Sequence, residues 1–224
     1  MAIPARQTVI FVDWDDTLFP TTHLHEKGVL RCADTEVPQE VVEELKSLAS
    51  KVARVLQALA GAGQVVIVTA SQGGWVARTA KHFLGLNNLP PVISAREAYG
   101  HMGSHPVQWK EAAFAAALMC HRTMAPTGIV HAVSLGDSEI EREALKRACC
   151  YMPWTQGTTV KFPETPTLEQ LTTHVEAVTQ RVRCMSVDAG THKTVEELAK
   201  IETDSFRGVR RNRRRGHKNR PVAA

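Results

Sequence analysis

Short apolar segments of strand character alternate along this chain with longer segments of helical periodicity. Residues 8–12 and 65–68 are compact runs rich in β-branched side chains, a composition typical of strands buried on both faces of a sheet. Between them, apolar residues recur at spacings of four and three from Val41 to Leu59, which indicates one buried helix face. Further elements are predicted as a helix at 75–84, a strand at 91–94, a helix at 106–122, a strand at 129–135, a helix at 140–148, a strand at 158–162 and a helix at 168–182.

Strands that alternate with helices predict an α/β fold built on a doubly wound, mostly parallel sheet with helices on both faces. We expect this domain to span residues 1–182. Residues 19–37 show no clean periodicity and are predicted to form a loop or flap. Residues 183–206 are predicted to form a short extension with a polar helix at 195–201, and residues 207–224 a basic, disordered tail.

Charge is distributed unevenly between the body of the chain and this tail. Eight of the 27 Lys and Arg residues lie between Arg207 and Arg220, a stretch without any acid. The remaining 19 are outnumbered by the 23 Asp and Glu residues. A tail of this kind is attracted to phosphates, so we expect residues 207–220 to bind RNA or a nuclear import partner. A solvated terminus without a partner is the alternative.

No apolar run is long enough to cross a bilayer, and the N-terminus lacks the basic start and apolar middle of a secretory signal. We therefore expect a cytoplasmic or nuclear protein with no membrane partner.

Polar residues that can carry chemistry follow three of the predicted strands directly. Asp13 follows the first strand, Thr69 ends the second, and Asp137 follows the strand at 129–135. Ligand sites in sheets of this kind gather at the carboxyl ends of the strands. These three residues are therefore expected to face one crevice.

Asp13 and Asp15 belong to a DxDxT motif that ends with Thr17. A carboxylate in a crevice can attack phosphorus once a cation neutralises the repulsion from the phosphoryl oxygens. A second carboxylate can protonate the leaving oxygen and later take a proton from water. Neighbouring acids also bind hard divalent cations. The alternative is a solvated turn after the strand, where Asp is favoured for its backbone hydrogen bonds.

Asp137 and Glu141 form a second acidic group, in the motif GDxxxE. Glu141 lies one helical turn after Asp137, so both side chains can face the same way, and Gly136 would let the backbone approach a bound ion. The alternative is that Ser138 caps the following helix and Glu141 completes a capping box. Cap and ligand roles are compatible with each other.

Thr69 and Lys110 are the remaining candidates. The Thr69 hydroxyl and the backbone N–H of Ala70 after it could hold a phosphoryl oxygen, and Ser71 can share this role. Lys110 stands in the first turns of a helix, where the helix dipole disfavours a cation, and that placement favours a use other than solvation.

The order of these four motifs, DxDxT, Thr, Lys and GDxxxE, resembles the haloacid dehalogenase (HAD) superfamily of phosphatases and phosphotransferases over about residues 8–165. The resemblance implies a Rossmann-like fold, with Asp13 as nucleophile and Asp15 as general acid and base. It implies Mg²⁺ bound by the Asp13 side chain, the Asp15 backbone carbonyl and Asp137. It also implies that Thr69 and Lys110 grip the phosphoryl group. Glu141 stands where many members have Asp, so its contribution to the metal would be indirect.

Two other classes of phosphate-handling protein fit the sequence less well. Response-regulator receiver domains carry an acidic pair, a phosphorylated Asp, a Thr and a Lys, in that order along the chain. Here Lys110 comes before Asp137, so the order of the residues differs. The GxxxxGK[ST] loop of nucleotide hydrolases is absent. The inter-motif segments leave no room for a large cap domain, and an open site implies, by resemblance, a bulky phosphorylated substrate such as a phosphoprotein or nucleic-acid end.

The sequence thus predicts a Mg²⁺-dependent phosphohydrolase acting through an aspartyl-phosphate, on a phosphorylated small molecule or macromolecule. The alternative is a catalytically silent HAD-like module whose basic tail engages RNA or a nuclear partner.

Overall fold

The computed structural model describes residues 7–31, 37–185 and 191–199, with the side chains of 183–185 outside that description. The described part contains a single six-stranded sheet in which all strand pairs are parallel. The strands run in the spatial order β3-β2-β1-β4-β5-β6, which confirms the predicted doubly wound fold. They are β1 (Thr8–Val12), β2 (Gln64–Thr69), β3 (Val92–Ser94), β4 (Val130–Gly136), β5 (Thr155–Lys161) and β6 (His192–Thr194).

Helices cover both faces of this sheet. They are α1 (Thr21–Glu26), α2 (Gln39–Ala62), α3 (Trp75–Leu84), α4 (Ala95–Tyr99), α5 (Pro106–Met124), α6 (Glu139–Cys150) and α7 (Leu168–Met185), with 3₁₀ turns at Val29–Arg31 and Gly100–Met102. Among the described residues, no helix combines the length and apolarity needed to span a membrane.

Two apolar cores lie on opposite faces of the sheet, and β1 contributes to both. Ile10 and Val12 pack with α2, α3 and α7, whereas Val9 and Phe11 pack with α5 and α6. Successive side chains of a strand point to opposite faces, so a strand in the middle of the sheet must be apolar throughout. This is why the first strand is a continuous apolar run that ends abruptly at the carboxylate of Asp13.

The structure differs from the predicted elements between residues 19 and 37. This segment was predicted to be a loop or flap, but it contains α1 and the turn at Val29–Arg31. Leu24 and Val29 are buried and anchor it to the core, although residues 32–36 lie outside the described part. No cap domain stands among the described residues of this region.

A second difference lies beyond residue 182, where the sequence predicted an extension separate from the sheet. α7 continues to Met185, and β6 pairs in parallel with β5. Val195 and Leu198, on a helical segment at 195–199, are buried in the core with α2 and α7. Residues 191–199 therefore complete the sheet. The predicted tail at 207–224 lies outside the described residues.

Candidate functional site

The carboxyl ends of β1, β2 and β4 bring the predicted site residues together. The pairing of β1 with β4 runs through Val12 and Leu135, and the backbone N–H of Asp13 donates to the Leu135 carbonyl at 2.9 Å. Asp13 and Asp137 therefore leave neighbouring strands at the same edge of the sheet. Thr69 ends β2 on the other side of β1.

Lys110 is buried between two carboxylates. Its Nζ donates to Oδ1 of Asp13 at 2.8 Å and also to Oε1 of Glu141. Only 3% of the Lys110 side chain is exposed, so this ammonium is withdrawn from water and satisfied by the two acids. The structure thus places Lys110, a predicted site residue, against Asp13 and Glu141.

Glu141 forms the predicted capping box and an ion pair with Lys110, and its role as a ligand stays a prediction. Ser138 caps α6 by accepting from the N–H of Ile140, and Oε2 of Glu141 accepts from the N–H and hydroxyl of Ser138. The capping box is therefore present, and the other carboxylate oxygen of Glu141 contacts Lys110. Cap and site role coexist on one side chain.

Gly136 is needed for the position of Glu141. A Cβ at Gly136 would lie 2.3 Å from Cγ of Glu141 and 2.7 Å from its Cδ, closer than real contacts allow. The glycine thus makes room for the Glu141 side chain, whereas the sequence suggested that it would make room for an ion.

Asp15 accepts four hydrogen bonds, two on each carboxylate oxygen. Oδ1 accepts from the Thr21 hydroxyl at 2.5 Å and from the indole Nε1 of Trp75 at 2.7 Å. Oδ2 accepts from the hydroxyls of Thr69 at 3.1 Å and Ser71 at 2.8 Å. Asp15 therefore joins the loop after β1 to β2, α1 and α3.

Trp75 and Thr21 are site residues that sequence reasoning missed. The sequence did not single out Trp75 as a candidate, and Thr21 lies in the segment predicted to be a loop or flap. The available signal was position: Trp75 is the first residue of α3, the helix that follows β2, and such helices begin at the edge of the sheet where the site lies.

The supporting residues lie close to these groups. Ala70 follows β2 directly, between Thr69 and Ser71, and the N–H of Ser71 donates to the Thr69 hydroxyl at 2.9 Å. Thr17 is fully buried, and its hydroxyl has no hydrogen-bond partner among the residues that the structure describes. The neighbouring Asp16 accepts from the N–H and hydroxyl of Thr22, which fixes the start of α1.

Negative charge is in excess at the crevice. Burial raises the pKa of Asp13 well above its usual range, and Glu141 and Asp137 raise it further, against the attraction of Lys110. Burial, with repulsion from Glu141 and Asp16, raises the pKa of Asp137 to about 7. Asp13 and Asp137 therefore lie within electrostatic range of each other.

The pKa values of Lys110 and Glu141 are shifted in the directions that favour their charged forms. Burial alone would lower the pKa of Lys110, but Asp13 and Glu141 outweigh it and hold that pKa above its ordinary value. Burial would raise the pKa of Glu141, but the Lys110 charge and the hydrogen bonds from Lys110 and Ser138 hold it below its ordinary value. Lys110 and Glu141 are therefore both charged at neutral pH.

The residues present fit a hard divalent cation. Asp13 and Asp137 offer carboxylate oxygens from the ends of adjacent strands, and carboxylate oxygen is the donor type that Mg²⁺ prefers. Within the described ranges, no group of three or more His, Cys, Asp or Glu side chains could hold a metal ion. The Mg²⁺ site expected from the sequence has only two carboxylate side chains, those of Asp13 and Asp137. Its third expected ligand is the backbone carbonyl of Asp15.

Fold and site together define an all-parallel α/β protein with a buried carboxylate–lysine cluster at the carboxyl edge of its sheet. Comparisons of this chain with protein-family models, curated proteins and solved structures found no match. The arrangement of its own side chains is therefore what supports a function.

Proposed function

We propose that this protein is a Mg²⁺-dependent, HAD-like phosphohydrolase that cleaves phosphomonoesters through an aspartyl-phosphate on Asp13. The observation that carries the proposal is the pairing of Asp13 with Lys110 at the carboxyl end of β1. Asp13 is buried at a strand end, its Oδ1 is held by Lys110 at 2.8 Å, and the hydrogen bonds described for its carboxylate leave Oδ2 to act. This is the geometry of an oriented nucleophile next to a phosphate-binding cation.

In the first step, an Asp13 carboxylate oxygen forms a bond to phosphorus while the bond from phosphorus to the leaving oxygen breaks. The electron pair of that bond goes to the leaving oxygen, which takes a proton from the Asp15 carboxyl group. Lys110 and the Thr69 and Ser71 hydroxyls, with the N–H of Ala70, bind the transferred phosphoryl oxygens.

In the second step, water attacks the phosphorus of the aspartyl-phosphate and gives a proton to Asp15. The bond from phosphorus to the Asp13 oxygen breaks and returns its electron pair to the carboxylate. The products are an alcohol and inorganic phosphate, and both aspartates are restored.

Mg²⁺ bound by Asp13, Asp137 and the Asp15 carbonyl would neutralise the phosphoryl charge and favour the ionised form of Asp13. Glu141 would act indirectly, because its charge is shared with Lys110 and its second oxygen caps α6. It would set the position of Lys110 between the two acids.

The expected substrate is a phosphorylated molecule that enters an open crevice. Between β1 and α2 the described residues form only α1 and a 3₁₀ turn, and between β2 and α5 only short elements. A small lid of this kind leaves room for a macromolecular phosphomonoester, such as a phosphoprotein or nucleic-acid end.

Phosphate release from p-nitrophenyl phosphate, measured with Mg²⁺ and with excess EDTA, tests the proposal. Release should require Mg²⁺, and Asp13→Asn should lower kcat to below about a thousandth of the wild-type value. Glu143→Gln, which alters an exposed acid of α6, is the matched control and should keep full activity. Full turnover by Asp13→Asn would overturn the assignment.

A further inference from the structure

The two oxygens of Asp15 are held by different kinds of donor. Oδ2 faces two hydroxyls, from Thr69 and Ser71, and a hydroxyl can rotate to donate elsewhere or to accept. Oδ1 faces the Thr21 hydroxyl and the indole N–H of Trp75, which can only donate and cannot turn away without moving its ring. The contacts to Oδ1, at 2.5 and 2.7 Å, are also shorter than those to Oδ2, at 2.8 and 3.1 Å.

The Trp75 ring packs against a buried aromatic ring, and its backbone carbonyl accepts a hydrogen bond within α3. Its ring meets Phe19 edge to face, with centroids 6.5 Å apart, and Phe19 is fully buried. The Thr79 hydroxyl donates to the Trp75 carbonyl at 2.9 Å and accepts from the indole of Trp14 at 2.9 Å. Trp14 lies between Asp13 and Asp15 in the chain, so one buried network ties the first turn of α3 to the loop that carries both acids.

We propose that Trp75 is a positioning residue that determines which oxygen of Asp15 exchanges protons. The indole N–H is a donor only and occupies Oδ1, so Oδ2, which faces two rotatable hydroxyls, is the oxygen that can give or take a proton. When a phosphoryl group binds, the Thr69 and Ser71 hydroxyls turn to its oxygens and release Oδ2 towards the leaving group. Trp75 and Thr21 keep Oδ1 in place meanwhile.

This inference rests on the proposed function and makes a separate prediction about it. Loss of the indole N–H should impair the steps in which Asp15 moves a proton and spare the attack of Asp13 on phosphorus. A leaving group of low basicity departs without a proton, whereas a basic leaving group needs one. A general loss of structure would impair both kinds of substrate equally.

The experiment compares 2,4-dinitrophenyl phosphate with phenyl phosphate in the full chain with Mg²⁺. In Trp75→Phe, which keeps the ring and removes the donor, kcat/KM should fall about 10- to 100-fold for phenyl phosphate and less than about threefold for the dinitrophenyl ester. The kcat should fall for both, because Asp15 also activates water in the second step. Aspartyl-phosphate should consequently accumulate.

Trp109→Phe is the matched control. Its indole N–H donates to the Gly103 carbonyl, also at 2.7 Å, and its side chain is half-buried like that of Trp75. This variant should behave as wild type with both esters. Thr21→Val removes the other donor to Oδ1 from a different helix and should reproduce the selective loss if Trp75→Phe folds poorly.

In Trp75→Phe and Thr21→Val, equal losses of kcat/KM on both esters, or no loss of kcat/KM on either, would overturn the positioning role while leaving the proposed function intact. A wild-type protein that releases no phosphate, or an Asp13→Asn variant that retains release, would overturn the proposed function itself and this inference with it.

Discussion

At the scale of single residues, the site is dominated by one lysine that serves two buried acids. Lys110, Asp13 and Glu141 are each less than a tenth exposed, so their charges depend on one another instead of on water. Burial raises the pKa of Asp13 well above its usual range, Glu141 and Asp137 raise it further, and the attraction of Lys110 opposes them. Burial of these charged groups lowers the free energy of unfolding. The same charges suit the binding of a cation and a phosphoryl group in the proposed function.

Replacement of this lysine should therefore destabilise the protein. In Lys110→Met, two buried carboxylates lose their partner, and the free energy of unfolding should fall by about 3–5 kcal/mol in urea denaturation. Adding Glu141→Gln removes one of the unpaired charges and should recover part of that loss. A Lys110→Met protein as stable as wild type would show that the three charges do not depend on one another.

The burial of His131 predicts that the free energy of unfolding depends on pH independently of the carboxylate–lysine cluster. It lies on β4 without solvent exposure, with Nε2 2.9 Å from the Thr158 hydroxyl, and burial lowers its pKa below the usual 6.5. The unfolded chain therefore takes up a proton at higher pH than the folded protein does. The contribution of neutral, buried His131 to the free energy of unfolding is therefore present above about pH 6.5 and is lost as the pH falls below that value.

Urea denaturation between about pH 5 and 7 measures this effect. His131→Gln should show a shallower decline of unfolding free energy with falling pH than wild type does, because the buried titrating group is gone. His25→Gln, at an exposed position of α1, serves as the control and should keep the wild-type slope. Equal slopes for His131→Gln and wild type would contradict the prediction.

At the scale of elements, β6 and the helical segment after it extend the domain beyond residue 182. Leu198, on the segment after β6, is 2% exposed, whereas Glu196 on the same segment is exposed. Leu198→Ala should cost about 2–5 kcal/mol of unfolding free energy, and Glu196→Ala less than about 0.5 kcal/mol. If Leu198→Ala were as mild as Glu196→Ala, residues 191–199 would not belong to the core.

The sequence predicts most of the strands and the long helices, including the edge strand β3, but not β6 or α1. A central strand such as β1 must be apolar on both faces, which leaves a continuous signal in the sequence. β6 consists of His192, Lys193 and Thr194 at the sheet edge, and α1 has Leu24 as its buried residue, so neither has an apolar pattern to read. Their positions depend on packing against distant parts of the chain.

The same limit applies to the site. The acids and Lys110 could be predicted because strand ends and motif order are visible along the chain. The hydrogen bond from Trp75 to Asp15 joins residues 60 positions apart, through the placement of α3 beside β1. Local pattern predicts where α3 begins but not which side chain its first residue contacts, so the sequence did not single out the indole.

At the scale of the whole molecule, the basic stretch at 207–220 and the carboxylate site are predicted to act separately. Removal of residues 207–224 takes away eight positive charges and should abolish retention of the chain on immobilised RNA, which in the full chain should weaken steeply between about 50 and 200 mM salt. Phosphate release from p-nitrophenyl phosphate should be unchanged. RNA retention that survives the deletion would place the binding surface elsewhere.

The central claim is that Asp13 carries the phosphoryl group during turnover. Borohydride reduces an acyl phosphate to the alcohol, so protein quenched during turnover with Mg²⁺ should contain homoserine at position 13, detectable by peptide mass spectrometry. Asp13→Asn and the protein without substrate should contain none. Phosphate release without any homoserine at position 13, or with the modification at another acid, would contradict the account.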